Sequence, residues 1–411
     1  MKEFNTLDDF DLSGMTVILR VDINCPLRQE TMTIGDDNRI KQIMPTLTEL
    51  VEKQAKVVII AHQGRPGDWD YCALDQHAQI ITRYLGQEVR YVDDLYGDEA
   101  LSAIRGMSPG QAIMLKNVRE LSCEQDKKSM DEHSQEEMVL RLSSVADLYV
   151  SDAFGAAHRS HCSLVGFQAV LPSAAGRLME RELNALSTVF EGPSRPCVFV
   201  LGGSKFSDSI KVIDRVLTKQ IADFVILVGL SANAFLKARG VDLGQDSEEI
   251  LSKEFTPENL EAAMKLIREK GERILLPLDV ALDQDGVRLE LLVGDLPNDY
   301  PIYDIGPRSI DKFSKVIGNA GTVFMSGPAG VFEREEFATG TRALLQAAVD
   351  SGAYTVIGGG HTVSAAERFG LFSRISYVST GGGALETYLL GKSMPVVEAL
   401  KAAYKREQAK K

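Results

Sequence analysis

At 411 residues the chain is too long for one ordinary core, and two domains are expected. Hydrophobic content of 44% with 25% charged residues is that of a soluble globular protein. A net charge of −13 argues against non-specific binding to nucleic acid or to anionic membranes, so an anionic ligand must be caught locally.

The five cysteines (25, 72, 123, 162 and 197) are scattered, with no CxxC pair. That pattern argues against a zinc motif or a disulfide framework and points to a reducing cytoplasm. The N-terminus, MKEFNTLDDFDLSG, has no apolar signal core, and no apolar run approaches the ~18 residues of a membrane helix.

Short β-branched runs alternate with longer amphipathic segments, which predicts α/β architecture with doubly wound parallel sheets. TVILRVDINCPL (16–27) comes first. Val17, Leu19, Val21 and Ile23 fall on one face of a strand, and Ile18, Arg20, Asp22 and Asn24 on the other. The runs KVVIIA, AIMLKN and LYVSDA follow, with helices expected at Arg39–Lys53 and Leu74–Leu85. After Pro172, SAAGRLMERELNALSTVF (173–190) reads as one long helix ending at Gly192-Pro193, a natural interdomain connector. A second series holds CVFVLG, FVILVG, RILLPLDVAL, TVFMSG, YTVIGGG and ISYVSTGGG, and the basic helix PVVEALKAAYKREQAKK closes the chain. The expected division is 1–172, a connecting helix over 173–192, 193–378, and a C-terminal segment over 379–411 that packs back towards the N-terminal domain.

Ligands of open α/β sheets bind beyond the carboxyl ends of the strands. In the first half those ends carry Asp22 and Asn24, HQGR (62–65), Arg119 and FGAAHRSH (154–161), and Arg39 opens the next segment. Four arginines and three histidines converging in an acidic protein suit a small, multiply anionic ligand, because the guanidinium fork matches carboxylate and phosphate. Asp22 fits such a pocket as the acceptor of a ligand hydroxyl, with Arg20 balancing its charge. In the second half the strand ends carry GGSKFSDS, GLSAN, SGPAGVFE, GGGHT and STGGGA. Glycines there let a backbone approach phosphate, and helix N-termini supply N–H groups. LGKS (390–393) is no Walker A loop, since position 386 is Glu, and GxGxxG is absent, which disfavours a dinucleotide oxidoreductase. An acid pocket facing a nucleotide pocket describes a two-domain kinase for a small acidic acceptor.

Taken in order, LRVDINCPL, HQGRP, KNVRE, DAFGAAHRSH, GGSKFSD, SGPAGVFE, GGGHT and STGGGA resemble the motifs of the phosphoglycerate kinase family, in its archaeal form. The resemblance implies reversible phosphoryl transfer between Mg·ATP and the carboxylate of 3-phosphoglycerate, in glycolysis or gluconeogenesis. It implies a 3-phosphoglycerate site made by Asp22, Ile23, Asn24, Arg39, His62, Gln63, Gly64, Arg65, Arg119 and Arg159. Glu333 would meet the nucleotide ribose, and Gly359, Gly360, His361 and Thr362 would lie along its phosphates. Arg39, Lys205 and Gly381, Gly382 and Gly383 would serve the phosphoryl group in flight. The family is mostly monomeric, and a dimer stays open.

Two departures stand out. Ser209 replaces a lysine of the family motif, with Lys211 two residues on. His361 replaces the acid usually found beside Mg²⁺. Imidazole is a poor ligand for this oxygen-seeking ion, so the metal is expected to be held mainly by nucleotide and water, with no protein ligand assigned and a metal-free structural role for His361 equally open. A catalytically silent nucleotide-binding regulator of the same fold is the alternative. It would keep the glycine loops and lose the acceptor arginines, which are all present. Two half-sites on two domains also lead us to expect a hinge closure, with the 173–190 helix as hinge.

Overall fold

The computed structural model describes residues 3–409. By internal contacts the chain forms two units, residues 1–183 with 392–411, and residues 184–391.

The first unit is built on six parallel strands. From edge to edge they are Val89–Tyr91, Ala112–Met114, Lys56–Ile60, Thr16–Val21, Leu148–Asp152 and Ser173–Ala175. Alternating side chains send Val17, Leu19 and Val57 into one core with the helices Asn38–Glu52 and Asp75–Leu85. Ile18, Val58 and Ile60 enter a second core with Asp98–Arg105 and Glu137–Ser143. Both faces are therefore covered, as βαβ crossovers require. Every residue of Thr16–Val21 is buried, so its polar face is interior, and Arg20 is fully buried. The closing helix, Pro395–Gln408, is tied to this unit. Arg406 donates to the carbonyls of Gln168 and Leu171, and Glu407 accepts from Asn5 and from the Ser173 amide. Lys410 and Lys411, which the sequence adds to that helix, lie outside the described residues.

The expected helix from Ser173 starts later. Residues Ser173–Ala175 form the edge strand, and the helix is Arg177–Phe190. Proximity to Pro172 and small residues suited either state, and pairing with Tyr149–Ser151 decided for strand. The start of the helix is set by a distant residue. Asp152 Oδ1 accepts from the amides of Leu178 and Met179 at 2.9 and 3.0 Å. Burial pushes the Asp152 carboxyl up to about 6, against the hydrogen bonds it receives. Asp152→Ala is expected to cost about 1–2 kcal/mol, the value of a helix cap, read as earlier urea unfolding, with Asp152→Asn keeping most of it.

The second unit repeats the parallel design with Ile274–Leu275, Phe224–Leu227, Cys197–Leu201, Thr322–Ser326, Tyr354–Gly358 and Tyr377–Val378. RILLPLDVAL does not run as one strand. Its Ile274–Leu275 stays in the parallel sheet, whereas Asp279–Gln284 joins Val287–Leu292 and Ile302–Ile305 in a small antiparallel sheet. The turn between the first two is Asp285-Gly286, with φ of 51° and 91°, a hairpin signal that an Asp-Gly pair carries in sequence.

Candidate active site

In the first unit the acid pocket forms where the central strands end. Asp22 follows Thr16–Val21 and is 7% exposed. Its Oδ2 takes Arg39 Nη1 at 2.5 Å, and Oδ1 accepts from the Asn24 amide at 3.3 Å. Burial opposes its charge, but Arg39 and Arg20, with the Asn24 amide, outweigh that and hold the carboxyl below its usual range. Arg39, in the first turn of Asn38–Glu52, keeps a side chain 43% exposed beside this pair. Asn24 Oδ1 accepts from the Gly64 amide at 2.9 Å, linking the first two strand ends.

Arg119 lies in the short helical turn Val118–Glu120 and is 5% exposed. Nη1 donates to the Gly64 carbonyl at 3.2 Å, while Nε is buried without a partner. An unpaired buried guanidinium nitrogen costs free energy unless a ligand meets it. Among the described residues Arg65, Arg119 and Arg159 form no ion pair with a carboxylate. Burial and mutual repulsion lower the pKa of Arg119, and burial does the same at Arg159, the signature of cations awaiting an anion. His62 and His161 stay neutral in this field. Burial and Arg20 hold His62 well below its usual value, and burial with Arg119 and Arg159 pushes His161 down to about 3.

Two residues of the expected set have their side chains elsewhere. Ile23 is fully buried in the core. Gln63 uses its amide to bind both backbone groups of Cys25, at 2.8 and 3.1 Å, and the Asp70 carbonyl. Contact with a ligand from either would have to come from backbone. Arg20 does not pair with Asp22 by hydrogen bond. It donates to Ser163, to the Val21 carbonyl and to His62.

Gly155, at the middle of DAFGAAHRSH, was missed from sequence. A Cβ there would sit 2.5 Å from Asp22 Oδ2 and 3.5 Å from Arg39 Nη1. Gly155→Ala is expected to push the pair out of place and raise KM for the acidic substrate at least tenfold, because a charge-assisted bond is lost. Unchanged kinetics in a folded variant would show that the pair has no need of this space.

In the second unit the glycine-rich strand ends surround a cavity of about 700 Å³, a size suited to a nucleotide. Gly202, Gly203, Lys205, Glu333, Gly359, Gly360, His361, Thr362 and Gly382 all line it. Its other wall is apolar, from Leu230, Ile250, Pro277, Val280 and Ile302. Gly229 must be glycine, having φ of 52° and leaving 2.6 Å between a Cβ and the Pro328 carbonyl. At Gly203, Gly360 and Gly382 a Cβ would meet nothing within 4 Å, so these backbones face open space.

Among the described residues Lys205 is the one Lys or Arg lining this cavity. Lys211 is not on the lining, and its Nζ lies 3.7 Å from Asp208. Ser209 bonds Ser231, which in turn donates to the Gly203 carbonyl at 2.7 Å. Lys205 Nζ lies 2.9 Å from Glu386 Oε1, and Glu254 accepts from the Phe206 amide at 3.0 Å. Two carboxylates thus occupy the donors that the GGSKFSDS turn was expected to offer to phosphate. Sequence flagged Glu386 only as a failed Walker position, and nothing near 254 pointed to the site.

His361 reaches towards Glu333, with Nδ1 3.7 Å from Oε1. Imidazole is a poor Mg²⁺ ligand, and although Asp208, Asp304 and Glu333 also line the cavity, no three His, Cys, Asp or Glu ligand atoms among the described residues converge there, so the lining does not build a protein cage for Mg²⁺. The one group of potential metal ligands close together among the described residues is Cys123, Glu124 and Cys162, in the other unit.

The phosphoglycerate kinase family profile matches residues 7–392. The chain belongs to the phosphoglycerate kinase family. It is 44% identical to the phosphoglycerate kinase of Methanothermus fervidus over 99% of each chain, and 44% identical to that of Methanococcus maripaludis over 98% of this chain and all of the relative. The crystal structure of phosphoglycerate kinase from Pyrococcus horikoshii superposes with a TM-score of 0.87 at 38% identity, covering 98% of this chain and 99% of that one. The Coxiella burnetii enzyme superposes at 0.85 with 33% identity, over 97% and 99%. The family fixes the setting in which the two pockets are to be understood, as parts of an ATP- or ADP-dependent kinase. No helix among the described residues is long and apolar enough to cross a membrane.

Proposed function

We propose that the chain catalyses reversible phosphoryl transfer between ATP and the carboxylate of 3-phosphoglycerate, giving 1,3-bisphosphoglycerate and ADP. The observation that carries this reading is the set of arginines without carboxylate partners around the Asp22–Arg39 pair, in a chain of net charge −13. Asp22 and Asn24 take the hydroxyl side of the acceptor, and Arg39, His62, Arg65, Arg119 and Arg159, with the 62–64 backbone, take its anionic groups. Glu333 meets the ribose, and Gly359, Gly360, His361 and Thr362 run along the phosphates.

The acceptor carboxylate has an ordinary pKa of about 4, so it is ionised near neutral pH and needs no general base. A carboxylate oxygen attacks the terminal phosphorus, the bond to the bridging oxygen breaks, and ADP leaves with that electron pair. The barrier is repulsion between anions. Arg39, Lys205 and the backbone of Gly381, Gly382 and Gly383 lower it by positioning and charge. Mg²⁺ enters with the nucleotide phosphates and water. Scattering with both ligands bound is expected to give a smaller radius of gyration than with either alone, as closure expels water. The protein is taken to work as a cytoplasmic monomer.

The test is a coupled assay with 3-phosphoglycerate and Mg·ATP, following NADH loss through glyceraldehyde-3-phosphate dehydrogenase. Turnover supports the reading. A folded protein that binds ADP but neither binds nor converts 3-phosphoglycerate would overturn it.

A further inference from the structure

Beneath the acid pocket runs a chain of buried polar groups that ends at His62. Glu124, Ser163 and Arg20 are each fully buried, and His62 is 4% exposed. The two oxygens of Glu124 accept from the amide and the hydroxyl of Ser163, the latter at 2.9 Å. Ser163 Oγ accepts from Arg20 Nε at 2.8 Å, and Arg20 Nη2 lies 3.1 Å from His62 Nδ1.

The direction of each bond follows from chemistry. A hydroxyl has one proton, and Ser163 gives it to Glu124, which leaves its lone pairs for Arg20. A guanidinium has no acceptor, so Nδ1 of His62 must be the acceptor and carry no proton. The ring is then neutral with its proton on Nε2. Asp22, Arg119 and Arg159 are the other charged groups acting on it. Burial pushes the Glu124 carboxyl up, and Arg20 with the two Ser163 donors opposes that, so Glu124 and Arg20 offset each other's buried charge.

We propose that Glu124, acting through Ser163 and Arg20, is the positioning residue that holds His62 as a neutral Nε2–H donor to the acidic substrate. This rests on the 3-phosphoglycerate reading above. Without the carboxylate, the Ser163 hydroxyl is free to rotate, Arg20 loses the acceptor on Nε, and the imidazole loses its fixed tautomer. Cys123 and Cys162 lie close to Glu124, and each oxygen of Glu124 already accepts one hydrogen bond from Ser163.

The experiment compares the full-length protein with Glu124→Gln, Ser163→Ala, His62→Gln and the 62/124 double variant. KM for 3-phosphoglycerate is expected to rise about tenfold in Glu124→Gln, the loss of about one hydrogen bond, with kcat within threefold. The double variant should be no worse than His62→Gln alone, because both act through one contact. Long-range ¹⁵N–¹H spectra of the ligand-free protein should show His62 as the Nε2–H tautomer, and a mixture in Glu124→Gln and Ser163→Ala. Should Glu124→Gln fail to fold, Ser163→Ala carries the same test. Multiplying KM effects, an unchanged tautomer, or lower stability with KM unaltered would each overturn the proposal. Absence of 3-phosphoglycerate turnover in the wild type would sink the functional reading instead, and the tautomer spectra would still decide the network.

Discussion

Arg39→Ala is expected to slow kcat by about 10²–10³-fold, about 3–4 kcal/mol, the scale of losing one preorganised electrostatic donor. Arg39 is held by Asp22 at 2.5 Å yet keeps 43% of its side chain exposed, so it is positioned without being consumed. Arg39→Lys keeps the charge but loses the fork, and should recover only part of the rate. A loss below tenfold in a folded protein would remove Arg39 from the transferring group. The variant should also change acid unfolding. Arg39 helps hold the Asp22 carboxyl below its unfolded value despite burial. The pair therefore adds stability above the unfolded pKa of about 4, and this is lost as pH falls through the lower folded value. Removing Arg39 should flatten that part of the curve.

Lys205→Ala should cost about 10²-fold or more in kcat, since no other Lys or Arg lines the nucleotide cavity among the described residues. Nucleotide phosphates must compete with Glu386 for this ammonium, which Glu386 holds at 2.9 Å. Glu386→Gln should therefore tighten ADP binding several-fold in the absence of metal, because an exposed ion pair of this kind is worth up to about 1 kcal/mol. Isothermal titration separates the two effects. If Lys205→Ala turns over normally, backbone amides alone neutralise the phosphates. If Glu386→Gln weakens ADP, the carboxylate does more than occupy the lysine.

Much of the acid pocket could be read from the chain because its residues follow strands directly, and strand runs are short, apolar and easily recognised. Asp22, His62, Arg119 and Arg159 needed only their places after successive runs. The edge strand Val89–Tyr91 was missed, being three residues of ordinary composition that pair only with Ala112–Met114. Ser173–Ala175 reads as helix in the sequence because small residues prefer neither state strongly, and the neighbouring strand decides. Gly155, Glu254 and Glu386 escaped because their importance lies in what stands opposite them, and no local pattern records that.

The order of runs and motifs was enough by itself to determine two doubly wound units, an arginine-rich strand edge and a glycine-rich one, and hence the family. Those properties are periodic or local, and they survive in one dimension. Tertiary structure alone decided which groups spend their hydrogen bonds inside the protein and which keep them for a ligand. Gln63 and Arg20 belong to the first class, and Arg159, half-buried with no carboxylate partner, to the second. The same arginine is scaffold or binding group according to which distant atoms desolvate it and which accept from it, and those atoms meet only when the chain is folded.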